Sequence, residues 1–249
     1  MINELVRALV DQNFGLRRID GLRAHDRDAA LAAEAVVEGT AALAAGIRAA
    51  APRGTPFERF VQLEEASGPG PGRALVAKLR YLGGTRAVNT ALRSFPQTTE
   101  QLLHIDKFLE REPARPVRVP SQIAGETLIG SETFGELDVR SLLQAHGIPT
   151  ANAVAAGWGG GRLALYRSPA GEYTAALELR WDSVADADEW RDALPRLVAA
   201  SFGLTTPQDC PPLDWCWTGT GEVGAGVVGA QSVLTSGANA AALGAALLG

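Results

Sequence analysis

The frame Asn3-Glu4-Leu5-Val6-Arg7 holds a glutamate inside a five-residue window whose first and last positions are polar. On a helix, residues four apart share one face. Zinc hydrolases place two histidines at that spacing, with a glutamate between them that takes a proton from the metal-bound water. Here Asn3 and Arg7 stand where those histidines would be. Arg7 cannot ligate zinc, because a guanidinium stays protonated and offers no lone pair. The chain has three histidines, His25, His104 and His146, and no two lie within a helical turn, so no replacement pair can be drawn. His104 follows Leu102-Leu103 and precedes Asp106-Lys107, the setting of a packed histidine bonded to a neighbour. Glu34 and Glu38 are four apart and share a helical face. Cys210 and Cys216, with Pro-Pro-Leu-Asp-Trp between them, form neither a CxxC redox pair nor half of a zinc quartet, and a disulfide between them implies export.

The elements that must position these groups follow from periodicity and breakers. Leu5, Val6, Leu9 and Val10 recur at helical spacing over 2–13. A longer Ala-rich helix is expected over 28–51, capped by Asp26 or Asp28 and stopped by Pro52 and Pro56. Short helices are expected over 57–66 and 73–82, split by Ser67-Gly-Pro-Gly-Pro-Gly72, with another after Gly83-Gly84. Prolines 113, 116 and 120 make 112–120 an extended connector, and the domain boundary is placed at 118/119. Beyond it, helices are expected over 134–145 and 151–156, the second running into Gly157-Trp-Gly-Gly-Gly161. The period then changes to two: 162–166 and 173–181 alternate around Ser168-Pro-Ala-Gly171 and suit a hairpin, with a helix over 182–200 packed across it. The fold class read from this pattern is α+β, a helical part over 1–118 followed by a β-β-α part over 119–249.

Charge narrows the partners. The 249 residues carry 23 basic and 28 acidic side chains, a net charge of −5, so bulk attraction to nucleic acid is excluded. The first 118 residues are net +3 and the remainder net −8. From Val223 to Gly249 there is no charge, but Gln231, Ser232, Thr235, Ser236 and Asn239 interrupt the run, and no membrane span is expected there. A strand over 223–228 and an Ala/Leu helix over 239–248 are expected instead. The first residues carry Glu4 and lack a basic stretch followed by an apolar one, so the chain as given reads as cytoplasmic, or as exported if an upstream region is missing.

The string from Asn3 to Leu16 resembles the HELTHALQDQHFDL-type segment of a bacterial family of gluzincin-like zinc metallopeptidases, matching at Glu4, Leu5, Ala8, Leu9, Asp11, Gln12, Phe14 and Leu16. Ala35-Val-Val-Glu-Gly39 resembles that family's ALVEG segment. Phe95-Pro-Gln-Thr-Thr-Glu-Gln-Leu-Leu-His104 with Asp106-Lys-Phe-Leu109 resembles its P-x-STEQ-x-LHPEKYL, and Gly135-Glu-Leu137 and Ala155-Ala-Gly-Trp158 resemble its GEL and AAGWDGDR segments. The resemblance implies a helical zincin-like first part in which Glu4 is the base and Glu38 the third zinc ligand. The departures remove the metal: Asn3 and Arg7 replace both imidazoles, and Gly159-Gly-Gly161 replaces the acidic loop, so neither zinc nor another cofactor is expected. Arg7 is expected to turn inward and pair with Glu38, with Glu34 a solvated residue or a second acceptor for Arg7. The function implied is a non-catalytic homologue that keeps a cleft for a peptide or small-molecule ligand around Asn3, Arg7, Glu34, Glu38 and His104. The alternative is a metal-independent enzyme in which Glu4 or Glu38, polarised beside Arg7, acts as acid or base on a small metabolite or modified peptide. A third reading makes the uncharged tail the contact surface of an interaction module.

Overall fold

Helix α1 (Ile2–Phe14) forms because Val6 and Val10 face a core while Asn3, Glu4 and Arg7 face solvent. In the computed structural model, which describes residues 2–50, 54, 58, 70–219 and 221–249, the chain divides into two compact units, Met1–Pro113 and Ala114–Gly249. The division falls at the first of the three connector prolines.

The first unit is helical throughout its described residues. Helix α3 (Arg27–Ala50) runs through its centre, burying Ala32, Ala33, Val36 and Val37, and its first turn is capped by Asp26, whose Oδ1 accepts the Ala29 N–H at 3.0 Å. By length and composition Arg27–Ile47 would suffice to cross a membrane, but its apolar residues pack into the core of this unit. Helix α4 (Pro71–Arg93) crosses α3 so closely that a Cβ on Gly39 would run into the Gly72 carbonyl, and one on Gly72 into the Ala35 carbonyl. The glycine of the Ala35–Gly39 segment therefore serves helix packing. Non-helical backbone at Gly83 and Gly84 kinks α4 where a break between two helices was expected. The expected helix over 57–66, apart from Glu58, lies outside the described residues.

Helix α2 (Arg17–His25) was hidden by its polarity, since it buries Ile19 and little else. Arg18 fixes it, donating to the carbonyls of Leu92 and Arg93 and stacking 4.1 Å over the Phe95 ring. Two short helices, α5 (Thr99–Leu103) and α6 (Ile105–Glu110), close the unit.

The second unit is built on one antiparallel sheet of eight strands: β1 (Gln122–Ile123), β2 (Glu126–Thr133), β3 (Trp158–Arg167), β4 (Tyr173–Trp181), β5 (Gln208–Cys210), β6 (Leu213–Thr218), β7 (Glu222–Val228) and β8 (Gln231–Gly237). Their order is β1-β2-β3-β4-β8-β7-β6-β5. The expected hairpin is present as β3–β4 and the expected strand over 223–228 as β7; the sheet extends beyond the β-β-α expectation, with β8 beside β4 carrying three further strands. β2, with the sequence ETLIGSET, is mostly exposed and lacks a period of two, and β8 is broken by serine and threonine, so neither announces itself.

Helices α7 (Glu136–Ala145), α8 (Ala151–Ala156) and α9 (Val184–Phe202) share a core with Leu177, Leu179 and Trp181 of the sheet, where the rings of Trp181 and Trp190 lie 5.5 Å apart. Helix α10 (Ala240–Leu248) covers the opposite face through Leu243, Leu247 and Leu248. The fold is α+β.

Candidate functional site

In the helical unit, α1 and α3 bring Arg7 and Glu38 into an ion pair. Its side chains are 47% and 51% exposed, so the expected inward, desolvated pair is corrected to a half-solvated one. The reason is helical phase: Val6 and Val10 on α1, with Val36 and Val37 on α3, take the buried side, which leaves Arg7 and Glu38 at the margin. Asn3 and Glu4 are exposed on the first turns of α1. Glu34 is partly exposed on its helix face, as the first of its two readings has it, and the second, an acceptor for Arg7, is not what it does. Its carboxylate accepts from Arg23 Nε at 2.7 Å, and Arg23 also holds Asp20 at 2.7 Å, so its partner is on α2 and is not Arg7. Glu38 is half-exposed and Glu4 exposed, so neither carboxylate is shielded from water.

His104 sits at the junction of α5 and α6, on neither α1 nor α3, and is half-buried. Its backbone N–H donates to Glu100 O at 2.8 Å and its carbonyl accepts from Phe108 at 3.1 Å, so its place is in a turn. The run Thr98-Thr-Glu-Gln101 before it is buried at every residue. Thr99 N–H donates to Asp28 Oδ2 at 2.9 Å, and Gln101 accepts from Gln97 N–H at 2.9 Å while donating to Glu112 O at 2.7 Å. Glu100, 1% exposed, pairs with Lys107 Nζ at 2.5 Å, and the same ammonium lies 3.4 Å from Glu112. These bonds tie α3, α5 and the end of the unit together. Buried polar side chains in such a network are structural ties, which is what the quoted P-x-STEQ-like segment does here.

In the sheet unit Gly159, Gly160 and Gly161 lie in β3 and are buried. Gly159 O accepts the Arg115 N–H at 2.6 Å, a Cβ on Gly160 would collide with the Arg115 carbonyl, and one on Gly161 with the Phe134 carbonyl. Backbone passes directly over Gly160 and Gly161 and leaves no room for a side chain there, while a Cβ on Gly159 would meet the Asp182 and Arg115 side chains. Trp158, also buried, donates its indole N–H to Phe134 O at 2.9 Å and is packing. Cys210 and Cys216 are joined in a disulfide across β5 and β6. The uncharged tail supplies β7, β8 and α10, with its leucines turned onto the sheet, so the contact surface expected of it is used internally.

Residues that the sequence pattern passed over are the acids of the sheet interior. Glu126 is 2% exposed and accepts from Thr174 Oγ1 at 3.0 Å, while its other oxygen has no hydrogen-bond partner. Glu178 is 4% exposed, with Oε1 likewise without a partner; burial pushes its carboxyl up to about 7, against a smaller opposing pull from Arg180. Burial, then the charges of Glu178 and Glu126, push the Tyr166 hydroxyl up to about 12. The signal was available. In Thr-Ala-Ala-Leu-Glu-Leu a lone acid interrupts an apolar strand whose two faces are both covered.

A family model described as "Domain of unknown function (DUF8575)" matches residues 122–245. That match lies wholly within the sheet unit. It begins at β1 and ends inside α10, so it takes in all eight strands and the helices on both faces. No curated protein and no solved structure matches the chain.

Proposed function

We propose that this chain is a non-catalytic, metal-free relative of the gluzincin-like peptidases that binds an extended peptide or small ligand on its helical unit. The observation that carries the reading is the Arg7–Glu38 ion pair: at the position of the second motif histidine stands a permanent cation, and it meets the residue that would be the third zinc ligand. A guanidinium there supplies the positive charge that the carboxylate would otherwise take from a metal, and it leaves no lone pair for one. The solvation of Glu4 and Glu38 favours binding over the acid–base alternative. Recognition of a peptide rests on pockets and backbone pairing and survives loss of the Lewis acid. The Cys210–Cys216 disulfide supports an oxidising working place over the cytoplasmic expectation.

Zinc titration tests the reading. The purified chain should retain less than about a tenth of an equivalent after dialysis, because Glu38 alone falls short of the three protein ligands that catalytic zinc requires. The double variant Asn3→His with Arg7→His should gain about one equivalent by calorimetry, with Glu4 set between the two imidazoles as the resemblance implies. Stoichiometric zinc bound by the unaltered chain at residues 3–38 would overturn the proposal. A folded double variant that ignores zinc would remove Glu38 from the site.

A further inference from the structure

Glu178 lies on the face of the sheet that α10 covers, and the strand register fixes what surrounds it. Across the sheet, Arg162 of β3, Glu178 of β4, Val233 of β8 and Gly226 of β7 form one row. The C-terminal end of α10 rests on that row: a Cβ added at Gly226 would stand 2.7 Å from Leu248 Cδ2, and Gln231, two pairs further along, donates from Nε2 to Leu247 O at 3.1 Å. The other end of the helix is tied down separately, by Thr235 Oγ1 donating to Ala240 O at 2.7 Å and by Glu222 accepting the Ala241 N–H at 3.2 Å. An acidic side chain with an oxygen lacking any hydrogen-bond partner thus lies in the strand row over which the C-terminal end of the helix sits, and its burial there disfavours a negative charge.

We propose that Glu178 makes the docking of α10 depend on a proton: the helix is held on the sheet while the carboxyl is neutral and loosens at its C-terminal end when the carboxyl ionises. The inference concerns the sheet unit and is independent of the proposed function. The charged and titratable groups facing Glu178 are few. β3 presents Arg162, whose guanidinium donates to Ser131 Oγ at 2.7 Å, and Tyr166, whose hydroxyl donates to Pro120 O at 3.1 Å. β4 presents Arg180, β2 presents Glu126 in its bond to Thr174, and β7 presents Glu222 at the far end of α10. Neither β8 nor α10 contains a titratable residue, so nothing on the helix itself can neutralise the charge.

The direction follows from the shift. The carboxyl is raised from 4.5 to about 7 when buried, so keeping it buried becomes costly as pH rises above 4.5, and the cost stops growing above about 7. Low pH therefore favours the docked helix. Amide hydrogen exchange on the full chain at pH 5.5 and 8.5, corrected for the intrinsic rate, reads it directly. Protection of Leu243–Leu248 should fall by up to about 30-fold at the higher pH, the limit set by that shift. The variant Glu178→Gln should keep its protection at both values. Equal protection of the unaltered chain at the two pH values overturns the proposal, and so does a Gln variant that loses protection as the parent does. Should that variant not fold, a carboxyl NMR titration of the unaltered chain decides: α10 amide shifts must move with the Glu178 midpoint, and amides that stay still or follow another midpoint overturn it.

Discussion

In the helical unit two of the acids that drew notice in the sequence have cations beside them, Glu38 with Arg7 and Glu34 with Arg23, all reached by solvent. In the sheet unit Glu126 and Glu178 are buried with hydrogen-bonding capacity left over, and no ion pair forms on either carboxylate among the described residues. Residue type alone therefore says little about role. A carboxylate half in water beside a guanidinium is an ordinary surface pair, whereas one sealed between a strand and an uncharged helix has its proton affinity changed by the fold. Between these extremes lies Glu100, as buried as the sheet acids but matched by Lys107.

Glu100 offers the largest effect by which to break the contrast. Replacing Lys107 with Met leaves a carboxylate in the core without that ammonium, and should cost about 3 kcal/mol in urea unfolding; adding Glu100→Gln should recover much of it. A loss below about 1 kcal/mol would place Glu100 with the solvent-reached pairs of Glu38 and Glu34. Next comes the covalent tie that the helical unit lacks. Reducing the Cys210–Cys216 bond opens a loop of a few residues and should destabilise by about 2 kcal/mol, seen as a lower denaturation midpoint of the sheet unit with the helical signal unmoved. The smallest effect belongs to the Arg7–Glu38 pair. A double-mutant cycle of Arg7→Ala and Glu38→Gln should return a coupling of about 0.5 kcal/mol that shrinks in 1 M salt. A coupling of several kcal/mol would place that pair in the same desolvated class as Lys107 and Glu100.

Much of the helical unit was legible because its signals are local. The apolar spacing of α1, the Ala-rich run and Asp26 cap of α3, and the Gly83-Gly84 break each act within a turn or two of chain. α2 escaped because its stability comes from Arg18 reaching carbonyls some 75 residues away, which no window contains. In the sheet unit the β3–β4 hairpin was readable from its period, while β2, β6 and β8 were not, since their pairing partners and the cover on both faces decide what they bury. By the resemblance, Gly159–Gly161 replaces an acidic loop; only the approach of Arg115 and Phe134 backbone shows why Gly160 and Gly161 can carry no side chain.

By itself the sequence determined an α+β chain with a helical first part, a proline-marked connector, and a frame from Asn3 to Arg7 unable to offer two imidazoles to a metal. Those are properties of residue chemistry and short-range periodicity. Tertiary structure decided that Arg7 and Glu38 meet at the surface, that Glu34 belongs to Arg23, that the quoted Thr98–Gln101 run is a buried tie, and that Glu178 is sealed beneath α10. Each of these depends on which faces of distant elements come together, and desolvation, unlike helical phase, is set by the whole surroundings of a group and not by its neighbours in the chain.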